Sequence, residues 1–262
     1  MISSRRAAIV ITYAVWKALF LREAVFRLSG SRLSWLWLLM EPLAQVIVML
    51  FIYGVFRQSV INSMDGGLFI MVGMLGYTTY DRTSSQCMNA VSANAALFTY
   101  RQVKPVDTVI VRAILEGFLT LMVSIILILG MDFLGYPVAM DDPLLVIYTA
   151  FALWFLGFGM GLSTSVLSVL QPDLIKIYGF LTRPLFFISA IFFPAYGIPQ
   201  PYREWLLLNP IAHGLELLRH GFNQKYHIVP ETSLYFLLAC GLVMTLLGQA
   251  LHVRYAEDLT TQ

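Results

Sequence analysis

His213, Glu216 and His220 stand at i, i+3 and i+7, which places three metal-capable side chains on one face of a helix. A zinc site and a wet polar face both account for them. Such residue types gather readily on a polar half-helix without a metal, and none is expected. Asp141-Asp142 with His213 and Glu216 is the other arrangement able to do chemistry, that of a membrane-embedded transferase acting on lipid-linked sugar. The acidic pair, however, precedes Pro143 as a loop cap does, and no metal spacing accompanies it. No glycine is followed by Lys-Ser or Lys-Thr, so the P-loop that cradles phosphates is absent, as are Gly-x-Ser-x-Gly and His-Glu-x-x-His. The chain is expected not to be an enzyme by itself and to bind no cofactor.

Charges inside apolar segments say more. Arg112 and Glu116 are spaced i, i+4 to pair along one helix, although Arg before Glu is the weaker orientation. Asp81 and Arg82 are adjacent, hence about 100° apart, so at least one points across helices or into a pathway. Glu41-Pro42 and Arg183-Pro184 each set a charge beside a helix-kinking proline, and Arg183 either snorkels or meets an anionic substrate. Trp35, Trp37, Tyr77, Tyr80, Trp154 and Tyr178 either stack on sugar faces or belong to an interfacial aromatic belt. A purely structural scaffold would not need costly charges in three separate apolar segments.

The elements that must position these residues are membrane helices. The composition is 58% hydrophobic and 12% charged, against roughly a quarter charged in soluble domains. Pro143 to Pro172 carries no charge over 30 residues and Thr232 to Val253 none over 22, each enough to cross hydrocarbon at roughly 20 residues per span. Hydropathy predicts spans at 33–56, 67–91, 108–131, 143–170, 176–194 and 232–252, an all-α membrane domain of six helices. Cys87 and Cys240 fall inside apolar segments and read as small hydrophobes. A net charge of +2 gives no footprint for nucleic acid.

With both termini cytoplasmic, Arg5, Arg6, Lys17, Arg22, Arg27, Arg32, Arg101, Lys104, Lys176 and Arg254 lie inside, and Arg57, Arg203, Arg219 and Lys225 outside. That asymmetry obeys the positive-inside rule. Residues 4–29 read as an interfacial helix, because Arg5, Arg6, Lys17, Glu23 and Arg27 share an arc of about 120°, which Arg22 breaks. No small-residue cleavage site follows its short apolar run, so it is expected to be kept. Residues 92–104 predict one small basic helix, ended by Pro105. The stretch 196–222 is too apolar for an ordinary loop, and Asn209-Pro210 marks a boundary between two half-helices dipping back into the bilayer.

Four blocks in order carry a resemblance covering nearly the whole chain. They are Arg22-Glu-x-x-x-Arg27 leading into Ser31-Arg-Leu-x-Trp-x-Trp-Leu-Leu-Met-Glu41-Pro; Tyr100-Arg-Gln-Val-Lys-Pro-Val-Asp107; Arg183-Pro-Leu-Phe-Phe-Ile-Ser189; and Pro201-Tyr-Arg-Glu-Trp-Leu-Leu-Leu-Asn-Pro210 with His213 and Glu216 after it. The chain resembles the membrane subunits of ABC-2 type polysaccharide exporters, most closely the capsular-polysaccharide (KpsM-type) permeases. The family pattern has glycine after the serine of the third block; Ala190 stands there in this chain.

The resemblance implies a six-helix half-transporter of the bacterial inner membrane that forms a homodimer and binds two copies of an ABC ATPase subunit, which carries the ATP and Mg. It implies a coupling element at 92–104, through Leu97, Phe98, Tyr100, Arg101 and Lys104, and re-entrant half-helices at 196–222. The implied substrate is a lipid-linked, commonly acidic capsular polysaccharide. Arg82, Arg112 and Arg183 are then the candidates for attracting the anion, with Tyr80 and Tyr178 beside the pathway. Periplasmic co-polymerase and outer-membrane export partners are implied as well. An ABC-2 permease for O-antigen, teichoic acid or a drug has the same fold and coupling logic.

Overall fold

The computed structural model describes residues 2–29, 40, 43–45, 47, 48, 51, 60–136 and 138–260, and for the first helix the side chains of residues 10–25. The span expected at 33–56, with Trp35, Trp37 and Glu41-Pro42, lies mostly outside the described residues, as do the side chains of Arg5, Arg6 and Arg27. Helices dominate: α1 (Ile2–Ser29), α2 (Gly66–Met88), α3 (Ala90–Ala93), α4 (Pro105–Phe133), α5 (Pro143–Leu170), α6 (Asp173–Ile188), α7 (Tyr202–Leu206), α8 (Pro210–Phe222) and α9 (Leu234–Arg254). A short hairpin precedes α2, with β1 (Val60–Ile61) antiparallel to β2 (Met64–Asp65). Its turn residues Asn62 and Ser63 both have positive φ, the geometry that matches strand twist in a two-residue turn.

Local chemistry sets the helix starts. Asp65 accepts from the Gly67 and Leu68 amides, Asp142 from Leu145, Asn209 from Ile211 and Ser233 from Phe236, each satisfying donors that a helix leaves unpaired. Pro105, Pro143 and Pro210 occupy first-turn positions, where a missing N–H does no harm.

Among the described residues, three helices are long and apolar enough to cross a membrane: α4, α5 and α9. They leave Phe118, Leu121 and Leu129 of α4, Ile147 and Phe151 of α5, and Val243 and Leu246 of α9 exposed, a surface that water would not tolerate and lipid does. α5 is the central helix. A side chain at Gly159 would begin 2.8 Å from the Gly241 carbonyl of α9, so the two backbones meet directly, and Ser163 donates across them to the Met244 carbonyl at 2.9 Å. On its other side α5 meets α2 and α8 in a core that includes Phe69, Met74, Leu153, Leu156, Ile211 and Leu215.

Two expectations need correction. Residues 92–104 do not form one helix: α3 stops at Ala93, a 3₁₀ turn covers Ala95–Leu97, and turns follow. Asn94 interrupts because its side chain is spent on the Ala90 carbonyl (2.9 Å) and on Arg22 (2.8 Å). The fifth expected span, 176–194, ends early. α6 stops at Ile188, and its 16 residues reach about 24 Å against the roughly 30 Å of hydrocarbon.

The stop has a local cause. Ala190, fully buried, lies in the left-handed region at φ 61°, where a Cβ costs roughly 1–2 kcal/mol and glycine does not. Ala190→Gly relieves that strain and loses one buried methyl worth about 0.8 kcal/mol, so the expected change in the thermal midpoint of the detergent-solubilised protein is small. Ala190→Val adds a β-branch to the same backbone in a closed site, and the midpoint should fall by the equivalent of about 2 kcal/mol or more.

Candidate functional site

The end of the molecule where α2 finishes and α4 begins carries a corner built from α1. Trp16 donates from its indole to Asp107 at 2.8 Å, Arg22 donates to Asn94 at 2.8 Å, and Glu23 pairs with Arg112 at 2.6 Å. α1 thus spends its polar residues on the protein, while Val10, Tyr13, Leu21 and Val25 stay exposed. Arg22, which broke the expected arc, and Glu23, which joined it, both bond to the protein, Arg22 while remaining exposed. Of the arc's described side chains, Glu23 docks on the protein and Lys17 is exposed.

Arg112 takes no partner along its own helix. Beyond Glu23 it donates to the Gln86 carbonyl at 3.4 Å, while Glu116 meets Arg82 of α2 at 3.6 Å. The pairing expected at i, i+4 is thus replaced by two pairs across helices, because a buried charge gains more from a neighbour that brings opposite charge into the same dry space. Glu116 is fully buried and Arg112 is 8% exposed. Of the three arginine candidates, Arg82 and Arg112 are therefore neutralised by carboxylates. Arg183 is exposed and, among the described residues, makes no ion pair.

The segment after α3 shows a clear division of labour. Thr99, Tyr100, Arg101, Gln102 and Lys104 are exposed, Leu97 is half-buried, and Phe98 turns inward at 8% exposure. Phe98 joins Cys87, Val91, Val109, Leu162 and Val166 in a second apolar cluster. The basic and aromatic groups are presented outward on this anchor.

Tyr80 and Tyr178 are brought together between α2 and α6. The Tyr178 hydroxyl is hydrogen-bonded to Ser84, with Tyr80 beside it, and Tyr77 donates to the Thr182 carbonyl at 3.0 Å. These bonds tie α6 to α2, and Tyr80 itself is buried at 2% exposure.

At the opposite end lies a network that sequence reasoning missed. Arg219, counted among the outer-surface cations, is fully buried. Its Nη1 donates to the Ala190 carbonyl at 2.7 Å and to Glu216 at 3.2 Å, and its Nη2 donates to the Ile191 carbonyl at 2.7 Å. The guanidinium lies 3.6 Å from the centre of the Phe69 ring. A Cβ at Gly73 would fall 2.5 Å from Nη2, so that glycine makes the space. Glu216 also accepts from the Tyr226 hydroxyl at 2.8 Å and the Ala195 amide at 3.3 Å. Burial pushes the Tyr226 phenol well above its ordinary range, which keeps the donated proton in place. One signal was available: Glu216 and Arg219 are i, i+3 among Leu215, Leu217 and Leu218, where a free surface charge would be out of place.

The same region engages the candidate histidines in hydrogen bonds. The Ser233 amide donates to Nδ1 of His213 at 2.9 Å, so Nε2 carries the proton and donates to the Leu207 carbonyl at 2.7 Å. Burial lowers the His213 pKa and favours this neutral ring. His220 lies 3.3 Å from the Tyr226 carbonyl. The acidic pair is structural too: Asp142 caps α5 and Asp141 accepts from the Gln224 amide at 2.8 Å. The transferase reading thus loses its candidate groups to helix caps, carbonyls and a buried ion pair.

Comparison with known proteins places this architecture. A family model described as ABC-2 type transporter matches residues 14–223. The polysialic acid transport protein KpsM of Escherichia coli is 34% identical over 245 residues, 94% of this chain and 95% of that protein. The capsule polysaccharide export inner-membrane protein CtrC of Neisseria meningitidis is 27% identical over 260 residues, 97% of this chain and 96% of that protein. BexB of Haemophilus influenzae, with the same description, is 28% identical over 261 residues, 98% and 97% of the two chains. With the family model spanning most of the length and this likeness running end to end, the chain belongs to the ABC-2 type transporter family.

Proposed function

We propose that this chain is the membrane subunit of an ATP-driven exporter that carries lipid-linked capsular polysaccharide across the bacterial inner membrane. The observation that carries the reading is the end-to-end likeness, 94–98% of the chain, to relatives named for polysialic acid transport and capsule polysaccharide export. In this reading two copies form the conduit, each with six crossings, the fifth made by α6 and completed by the non-helical residues after Ile188, both termini cytoplasmic, and α7 and α8 entering the outer leaflet as half-helices. ATP and Mg belong to two separate ATPase subunits, and periplasmic and outer-membrane export partners take the polymer onward. Arg183, exposed on α6, is the residue best placed to attract an acidic polymer, since Arg82 and Arg112 already face carboxylates.

Docking to the ATPase falls to the exposed side chains of Tyr100, Arg101 and Lys104, and Leu97 and Phe98 hold them from behind. Closure of the ATPase dimer would push on this segment, and α1, bonded to Asn94, Asp107 and Arg112, would move with it. The conduit then has two states that nucleotide selects between.

Two experiments test this. Tyr100→Ala with Arg101→Glu and Lys104→Glu should abolish co-purification of the ATPase subunit and surface polymer while leaving the membrane level of the chain intact; retention of the ATPase would sink the docking assignment. Glu23→Arg or Arg112→Glu alone leaves an uncompensated buried charge, a loss of about 3–5 kcal/mol, and should cut export tenfold or more. The double exchange restores the pair and should recover most of it, measured as cell-surface polysaccharide; no recovery would mean that the pair itself is not what matters.

A further inference from the structure

α9 does not stop doing structural work at Arg254. The Tyr255 amide bonds back to the Leu251 carbonyl at 3.0 Å and the Leu259 amide to the Tyr255 carbonyl at 3.1 Å, so the helical phase continues through the turns that follow. Leu251, Tyr255 and Leu259 therefore form one stripe at i, i+4 and i+8. Ala256, Glu257, Asp258 and Thr260 are exposed, yet Leu259 between them is fully buried. It sits in the cluster that holds Phe98, with Val91, Val109 and Leu162, and with Val103 and Tyr255 packed against it.

The segment that cluster supports has little stiffness of its own. Beyond Leu97 it is held by isolated turns, from the Tyr100 amide to the Leu97 carbonyl and from the Val103 amide to the Tyr100 carbonyl, both 3.0 Å, and at its end by the Lys104 amide donating to Asp107 at 3.0 Å. With no regular helix between Leu97 and Lys104, its position depends on where Phe98 and Val103 are seated. A force applied to Tyr100 or Arg101 reaches α4 along the chain at Pro105 and the other long helices through that seat. An apolar wall that yields would absorb the displacement instead of passing it on, because close-packed interiors transmit strain and cavities do not.

We propose that Leu259 is a positioning residue for the docking segment: the turn after α9 braces residues 97–104 from the side of the last helix, so that movement of the partner ATPase reaches α9 as well as α2 and α4. The brace rests on the docking reading given above and adds to it a second, sequence-distant contact. Its chemistry is purely apolar, in contrast to the polar contacts by which α1 grips the same corner.

The test uses the full transporter, co-expressed with its ATPase subunit. Leu259→Ser should leave the membrane level and the co-purified ATPase within twofold and lower surface polymer at least fivefold, with ATP hydrolysis continuing, so that more ATP is spent per polymer exported. Leu259→Met should restore export, and Asp258→Ser, altering an exposed neighbour, should leave it unchanged. Normal export and an unchanged ATP ratio in Leu259→Ser overturn the brace. If the Tyr100, Arg101 and Lys104 triple variant keeps its ATPase, the docking reading fails instead, so the two failures are distinct. Should Leu259→Ser not accumulate, a nitroxide on Tyr100→Cys, with Cys240→Ser, reports the seat directly. Leu259→Ala should raise its mobility, and an unchanged spectrum overturns the proposal.

Discussion

A guanidinium in an apolar bundle has to be met on every side, and that requirement organises both ends of this protein. Arg219 is fully buried, so its donors must all find acceptors inside the fold. The Ala190 and Ile191 carbonyls supply two of them, and they can point at Arg219 only because the chain leaves the helical region at Ala190. The end of α6, the left-handed residue, the missing side chain at Gly73 and the capture of Glu216 by Tyr226 are therefore one arrangement seen from four positions. Removing the charge without its partners would leave Glu216 bare in the same space, which is why such groups are kept or lost together.

The corner at α1 solves the same problem less completely. Arg112 meets one carboxylate from α1 and one backbone carbonyl from α2, and the side chains of Arg112 and Glu23 are 9% and 12% exposed. Partial exposure makes the pair weaker than a sealed one, since water screens what it reaches. A contact of this kind is strong enough to orient α1 and weak enough to be re-made when α2 and α4 shift. The network of Arg219 and Glu216, sealed from water, has no such freedom.

What could be read from the residues followed from local rules. Asn209-Pro210 and Asp142-Pro143 announce helix starts within a few positions, and the structure puts caps there, whereas Pro105, read as the end of a small helix, is the first residue of α4. The bare apolar runs announce α4, α5 and α9 because length and composition alone suffice for a span. Arg112 was seen as a buried charge, but its partner was misassigned: Glu116 is near in sequence and Glu23 is near in space. No periodicity reports a contact between α1 and α4. The burial of Arg219 escapes for a related reason, as counting cations by loop treats every arginine outside a span as solvated. The hairpin at Asn62-Ser63 and the turn at Ala190 were invisible because each needs positive φ from residues that do not advertise it.

α6 shows how attachment differs from packing. All 16 of its residues keep some exposure, and beyond Leu185 and Phe186, which rest on the core, what fastens it is polar and local: Ser84 to Tyr178, Tyr77 to the Thr182 carbonyl, and Arg219 to the two carbonyls just past its end. Hydrogen bonds fix direction and register but release over a fraction of an ångström, whereas interdigitated side chains yield only by opening a cavity. α5 and α9, with their backbones in contact at Gly159 and Gly241, belong to the second kind. A displacement entering at the α1 corner therefore meets a stiff pair, α5 and α9, and a loosely pinned helix, α6. In the docking reading proposed above, the relative movement falls on α6, the helix that carries Arg183 and Pro184.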